Sequence, residues 1–176
     1  MLTGKVLKNT KEPKIYNSIH SLIKKFGEPF IRKAVRAAMK EMGNQFVLGQ
    51  SIENAIKRGK SQQNIGYTFS YDMLGEAALT NRDAITYTKA YADTISYLSN
   101  YCTNNDIRAN PGISIKLSAL FPRYELVHKE AVLDILGDRL FDLALMAKKA
   151  NMGLNIDAEE AARLDLSLDI IEKVFS

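Results

Sequence analysis

The spacing of apolar residues changes along the chain from a helical to an alternating rhythm. Ile31, Val35, Ala38 and Met42 recur at helical spacing, with Pro29 near the start and Gly43 placed as the terminator. A second short helix opens at Ser51, whose hydroxyl can cap it, and buries Ile52, Ala55 and Ile56. From residue 65 the period becomes two: IGYTFSYD (65–72) alternates Ile65, Tyr67, Phe69 and Tyr71 with small or polar residues, a strand rhythm. Helical spacing returns in Ala84, Tyr87, Tyr91, Ile95 and Leu98, behind Thr80 and Asp83 at capping-box separation.

The strand-then-helix pattern repeats twice. GISIKLSA (112–119) reads as a strand with Ile113, Ile115 and Leu117 in phase. Val132, Leu136, Leu140, Leu143 and Ala147 then line one side of a helix, with Gly137 as its point of division. GLNID (153–157) is a short strand entered through Gly153 as a helix C-cap, and Leu164, Leu168, Ile171 and Phe175 share a face of the last helix. Three consecutive βα units imply an α/β fold with a parallel sheet. The expected domains are a helical region over 1–64 and βα units over 65–176.

Charge refines that picture, because Asp72, Lys116 and Asp157 each fall at a strand end, out of phase with Tyr71, Ile115 and Ile156. All three therefore point away from the helix layer. A doubly wound sheet has helices on both faces, whereas in a (βα)8 TIM-type barrel that side is the mouth of the lumen, where catalytic groups sit. The expected fold is thus an N-terminal helical segment followed by the first three units of such a barrel. At the observed spacing eight units need roughly 330 residues, so the chain reads as the front part of a larger protein. Its open sheet edge and uncovered helix faces would then pair or oligomerise.

Lys116 can supply three donors to an anionic substrate, and flanking acids would keep it protonated. On spacing alone, a buried ion cluster without chemistry remains the alternative, and two nearby carboxylates disfavour an imine-forming lysine of the Schiff-base aldolase kind. Glu76, Glu159 and Glu160 extend the acidic rim; for the last two, helix capping or solvation is the expected role. Neither a Rossmann nucleotide motif nor a P-loop is present.

The overall composition adds few constraints. The chain is 46% hydrophobic with a net charge of +4. It has no run long enough to span a membrane and no apolar signal core, which makes the cytoplasm the expected location. One cysteine, Cys102, excludes an internal disulfide and reads as a helix-packing thiol; His20 and His128 lie too far apart in sequence for metal-ligand spacing. The early cations Lys5, Lys8, Lys11, Lys14, Lys24, Lys25, Arg32, Lys33, Arg36 and Lys40 lack an interleaved aromatic platform. They read as a solvated helix face, so DNA binding is not supported.

YTFSYDMLGEAALT (67–80), GISIKLSALFPRYE (112–125) and GLNIDAEEAARLDLSLDIIE (153–172) closely resemble the proline dehydrogenase domain of bifunctional proline utilization A proteins. Residues 27–56 resemble the helical region before that barrel. The resemblance implies an FAD-dependent, distorted barrel that oxidises L-proline to Δ1-pyrroline-5-carboxylate, passing hydride from the ring carbon beside nitrogen to flavin N5, with electrons leaving to a membrane quinone. It implies that Lys116 contacts the substrate carboxylate and that Asp157, followed by Ala158, organises the site beside the flavin. Glu76 would pair with a substrate-binding arginine, and Asp72 would be the acid at the end of strand one.

The family's arginine pair, its tyrosines near the ring and most FAD contacts are expected beyond Ser176. The aldehyde dehydrogenase module and any N-terminal DNA-binding domain read as missing, and the 176 residues alone as inactive. The protein would be cytoplasmic, with possible peripheral contact to the inner face of the membrane. A non-catalytic assembly module is the competing reading.

Overall fold

The computed structural model describes residues 27–176, which divide into two units between Ala55 and Ile56. His20 and the basic residues from Lys5 to Lys25 lie outside the described residues.

In the first unit, α1 (Glu28–Phe46) begins with Pro29 in its first turn and a 2.7 Å Arg32–Glu28 pair. It runs past Gly43, correcting the expected stop. Gly43 keeps a negative φ, and the Val47 amide closes on its carbonyl at 2.7 Å, so the left-handed residue that a glycine stop needs is not formed. Ile31, Val35 and Met42 are all exposed. In α2 (Ile52–Gln63) the Ser51 hydroxyl accepts from the Asn54 amide at 3.4 Å, and Ala55 and Ile56 are buried while Ile52 is half-buried.

The second unit is built on a parallel sheet of β1 (Ser70–Asp72), β2 (Gly112–Ile115) and β3 (Leu154–Ile156), in that spatial order. Tyr71 pairs with Ile113, Asp72 with Ser114, Ser114 with Asn155 and Ile115 with Ile156. α3 (Asn81–Ser99) joins β1 to β2, and its capping box forms as expected: Thr80 Oγ1 accepts from Asp83 N at 3.2 Å, and Asp83 returns an acceptor to Thr80 N at 2.9 Å.

Both long strands of the sequence reading are shorter in the structure. Residues 65–69 stay out of the sheet: a turn follows α2, Gly66 has a φ of 97°, and Ile65 and Tyr67 are exposed. Alternation makes a strand only where a partner backbone exists, and the four residues of β2 offer β1 a three-residue ladder. At the other end β2 stops at Ile115, and Leu117–Leu120 form a single helical turn, α4, with Lys116 as its N-cap residue.

From Lys129 the chain is helical to Lys149. A π segment, Val132–Leu136, gives way at Gly137 to α5 (Gly137–Lys149), so the expected division is a change of helix type without a break. Lys173 donates to the Leu133 carbonyl of the wider turn at 2.8 Å. Val132, Leu136, Leu140, Leu143 and Ala147 are all at most 1% exposed, as their spacing indicates. The C-terminal cap is Asn151, not Gly153. Asn151 has a φ of 54°, its amide bonds to Lys148 O at 3.1 Å, and Met152 N reaches Ala147 O at 2.9 Å, the paired bonds of a Schellman cap.

The last helix, α6 (Leu164–Phe175), buries the face opposite to the expected one. Leu166 and Ile170 are at most 1% exposed, whereas Leu164, Leu168 and Phe175 are more than half exposed. With leucines and isoleucines on two sides, periodicity alone did not select the packed face.

Candidate active site

Strand parity sorts the sheet into two faces. Tyr71, Ile113 and Ile115 are buried on the helix side, while Ser70, Ser114 and Asn155 share the other face and bond across all three strands. Ser70 Oγ lies 3.0 Å from Ser114 Oγ and accepts from Asn155 Nδ2 at 2.8 Å. Two residues further along each strand, on that same polar face, come Asp72, Lys116 and Asp157.

Parallel register brings these strand ends side by side. Lys116 Nζ lies 2.7 Å from both carboxylate oxygens of Asp72 and 2.7 Å from Asp157 Oδ2. The lysine side chain is 14% exposed, Asp72 40% and Asp157 30%. The backbone is fixed as well: Asp157 N donates to Ile115 O at 3.0 Å, and Lys116 N donates to the Tyr91 hydroxyl at 3.2 Å. The sequence reading took Tyr91 only as a member of the helix face.

Burial pulls the Lys116 pKa down, but hydrogen bonds to Asp157 and Asp72 outweigh it and hold the ammonium above the usual lysine value. On the alkaline side the pairing therefore keeps its full contribution to stability up to lysine's ordinary 10.5 and loses it as pH rises through the raised value. An amine held this way is a poor imine-forming nucleophile, which argues against the aldolase alternative.

A cavity of about 630 Å³ opens at these strand ends. Lys116, Asp157, Ala158 and Glu76 line it, with Ile156, Glu159 and Glu160. Glu160 bonds Arg163 at 2.9 Å, and the Arg163 guanidinium sits 5.2 Å over the Tyr124 ring. Burial, partly offset by a hydrogen bond with Ser167, pushes the Tyr124 hydroxyl up to about 12. Glu159 caps α4 rather than its own helix, accepting from Ser118 N at 2.9 Å and from the Ser118 hydroxyl. Nothing in the sequence signalled Ser118, because its partners lie 41 residues away in either direction.

Among the described residues no cluster of His, Cys, Asp or Glu is arranged to hold a metal ion, and no helix is long and apolar enough to cross a membrane. Cys102 is half-buried just beyond α3, its thiol directed at the Leu98 carbonyl at 3.6 Å, and burial raises its pKa. At pH 8 iodoacetamide should therefore alkylate it about fivefold more slowly in the folded protein than in urea, as read by mass spectrometry. Equal rates would refute the burial effect.

These features define an α/β protein with a charged cavity at the carboxyl ends of its parallel strands. A family model described as proline dehydrogenase matches residues 55–176, and one described as the DNA-binding domain of proline dehydrogenase matches residues 1–46. The chain belongs to the proline dehydrogenase family.

The bifunctional protein PutA of Klebsiella aerogenes and that of Escherichia coli are each 44% identical over 174 residues, covering 99% of this chain and 13% of the relative. This chain thus spans about an eighth of the length of those relatives. A mutant of Bradyrhizobium japonicum proline utilization A superposes with a TM-score of 0.69 at 46% identity, over 88% of this chain and 16% of that one. Proline utilization A from Bdellovibrio bacteriovorus, at 22% identity and a TM-score of 0.76 over 88% of this chain and 17% of that one, shares the fold. The match over residues 1–46 corrects the expectation that any N-terminal DNA-binding domain is missing: that segment resembles the family's DNA-binding domain.

Proposed function

We propose that this chain supplies part of the proline-binding wall of an FAD-dependent proline dehydrogenase that oxidises L-proline to Δ1-pyrroline-5-carboxylate. In this reading residues 65–176 are the first three units of a (βα)8 barrel and residues 1–64 the helical region before it. The observation that carries the reading is the convergence of Asp72, Lys116 and Asp157 from three successive parallel strands onto one cavity. Sequential strand order and charged side chains at the carboxyl strand ends are what a barrel active site requires.

Lys116 receives the proline carboxylate. Its three acceptor contacts already engage the ammonium, so substrate must displace one of them, and the more exposed Asp72 is the one that yields. Asp157 then keeps the ammonium in place. A charge-assisted contact of this kind contributes about 1.5–3 kcal/mol, which alone corresponds to no better than millimolar-class binding. Because acids outnumber Lys116 around the cavity, further cations are needed, and the family's arginine pair, one of them a partner for Glu76, supplies them.

The flavin edge would lie against Asp157 and Ala158. The fit is favourable there: a carboxylate faces the cavity beside a residue whose small side chain leaves the strand end open to a flat ring. FAD bound there supplies the two-electron acceptor for proline oxidation. With three strands in place, the 176 residues alone do not turn proline over. In the whole protein electrons pass to a membrane quinone and an aldehyde dehydrogenase module takes up the product, at a cytoplasmic location peripheral to the membrane. In this reading the exposed apolar face of α6, with Leu164, Leu168 and Phe175, would be covered by later units of the barrel.

The test is anaerobic addition of L-proline to the full-length protein while recording its visible spectrum. Bleaching of a flavin band with formation of pyrroline-5-carboxylate is the expected result. A preparation without flavin, or one whose flavin stays oxidised, would sink the assignment.

A further inference from the structure

We propose that Ser118 is a positioning residue that locks the three strand-end loops into one frame, holding Glu76 at the cavity it shares with Lys116 and Asp157. The inference rests on the proline dehydrogenase reading for its functional meaning and on the hydrogen bonds alone for its structural content. The loop after β1 carries Gly75 at a φ of 125° and Ala77 at 55°, and a left-handed alanine persists only where its surroundings impose it. Ser118 supplies that restraint through two successive amides. Ala77 N donates to its hydroxyl oxygen at 3.0 Å, and Ala78 N donates to its carbonyl at 2.9 Å.

The same residue faces the loop after β3, where its amide and its hydroxyl proton both go to the Glu159 carboxylate. One hydroxyl thus accepts from the first loop and donates to the third, while standing on the second. The connections are short in sequence: Ala77 follows Glu76 directly, Leu117 alone separates Ser118 from Lys116, and Ala158 alone separates Glu159 from Asp157. Ser118 is 4% exposed and does not line the cavity, so it acts through its neighbours and touches no substrate.

Amide exchange and proline kinetics on the full-length protein separate this role from a general contribution to folding. In Ser118→Ala the Ala77 amide exchanges about fivefold faster, the loss of one hydrogen bond, and KM for L-proline rises by a similar factor while kcat holds within about twofold. Ser118→Thr, which keeps the hydroxyl, restores both. Glu159→Ala reaches the same network from the third loop and also speeds exchange at Ala77; it serves if Ser118→Ala does not accumulate as folded protein.

Unchanged exchange at Ala77, or equal acceleration throughout α3, would overturn the proposal. So would an unchanged KM beside faster exchange. If wild-type protein fails to oxidise proline, the functional reading falls while the exchange data still decide whether Ser118 holds the loop.

Discussion

Lys116→Met lowers kcat/KM for L-proline by about 10- to 150-fold in the full-length protein, with most of the loss in KM. The figure follows from losing one charge-assisted contact to the substrate carboxylate, about 1.5–3 kcal/mol, at one factor of ten per 1.36 kcal/mol. Two effects combine. In the proposed reading substrate loses the cation for its carboxylate, and Asp72 and Asp157, which both lie 2.7 Å from the ammonium, lose the charge they share.

That second effect has its own signature. Two close carboxylates without a cation raise the pKa of the pair, so one takes up a proton as pH falls. Stability of the variant therefore improves from about pH 8 to about pH 5, because a raised carboxyl favours the folded state at low pH and loses that advantage as pH rises through its folded value. The native cluster shows no such gain, since the Lys116 ammonium is retained throughout this range. Steady-state dye reduction and thermal unfolding at the two pH values measure both effects. A loss in kcat/KM below about tenfold would mean that the cluster is only structural.

Leu140→Ala gives the largest change in stability, about 3–5 kcal/mol, with no direct contact to the cavity. Leu140 is fully buried on α5, the helix that packs against both α3 and α6. Truncation opens a cavity that three rigid helices cannot collapse to fill, and the loss is a large share of the roughly 5–15 kcal/mol available to an ordinary domain. Urea unfolding followed by circular dichroism reads it as a lower midpoint with an unchanged slope. A shift equivalent to less than about 1 kcal/mol would show that this helix layer is not the core. Leu168→Ala, on the exposed face of α6, separates buried from uncovered leucine within the same layer.

Much of this organisation was legible in local sequence. Strand–helix alternation gave three parallel strands in order, and the phase of Asp72, Lys116 and Asp157 against their apolar neighbours placed all three on one face. Thr80 and Asp83 formed the capping box that their spacing specifies. Such features depend on backbone geometry within a few residues, and there the chain alone is sufficient.

Other features were decided only when distant segments met. β1 shrank to Ser70–Asp72 because its ladder depends on the length of β2, and α6 turned Leu166 and Ile170 inward because only contact with the neighbouring helices distinguishes its two apolar sides. Lys116 took up all of its donors on Asp72 and Asp157, and Ser118 gathered three loops through bonds to residues 41 positions away in both directions. Periodicity determines which side chains share a face. Which face is covered, and which polar groups are satisfied by whom, is set by partners remote in sequence.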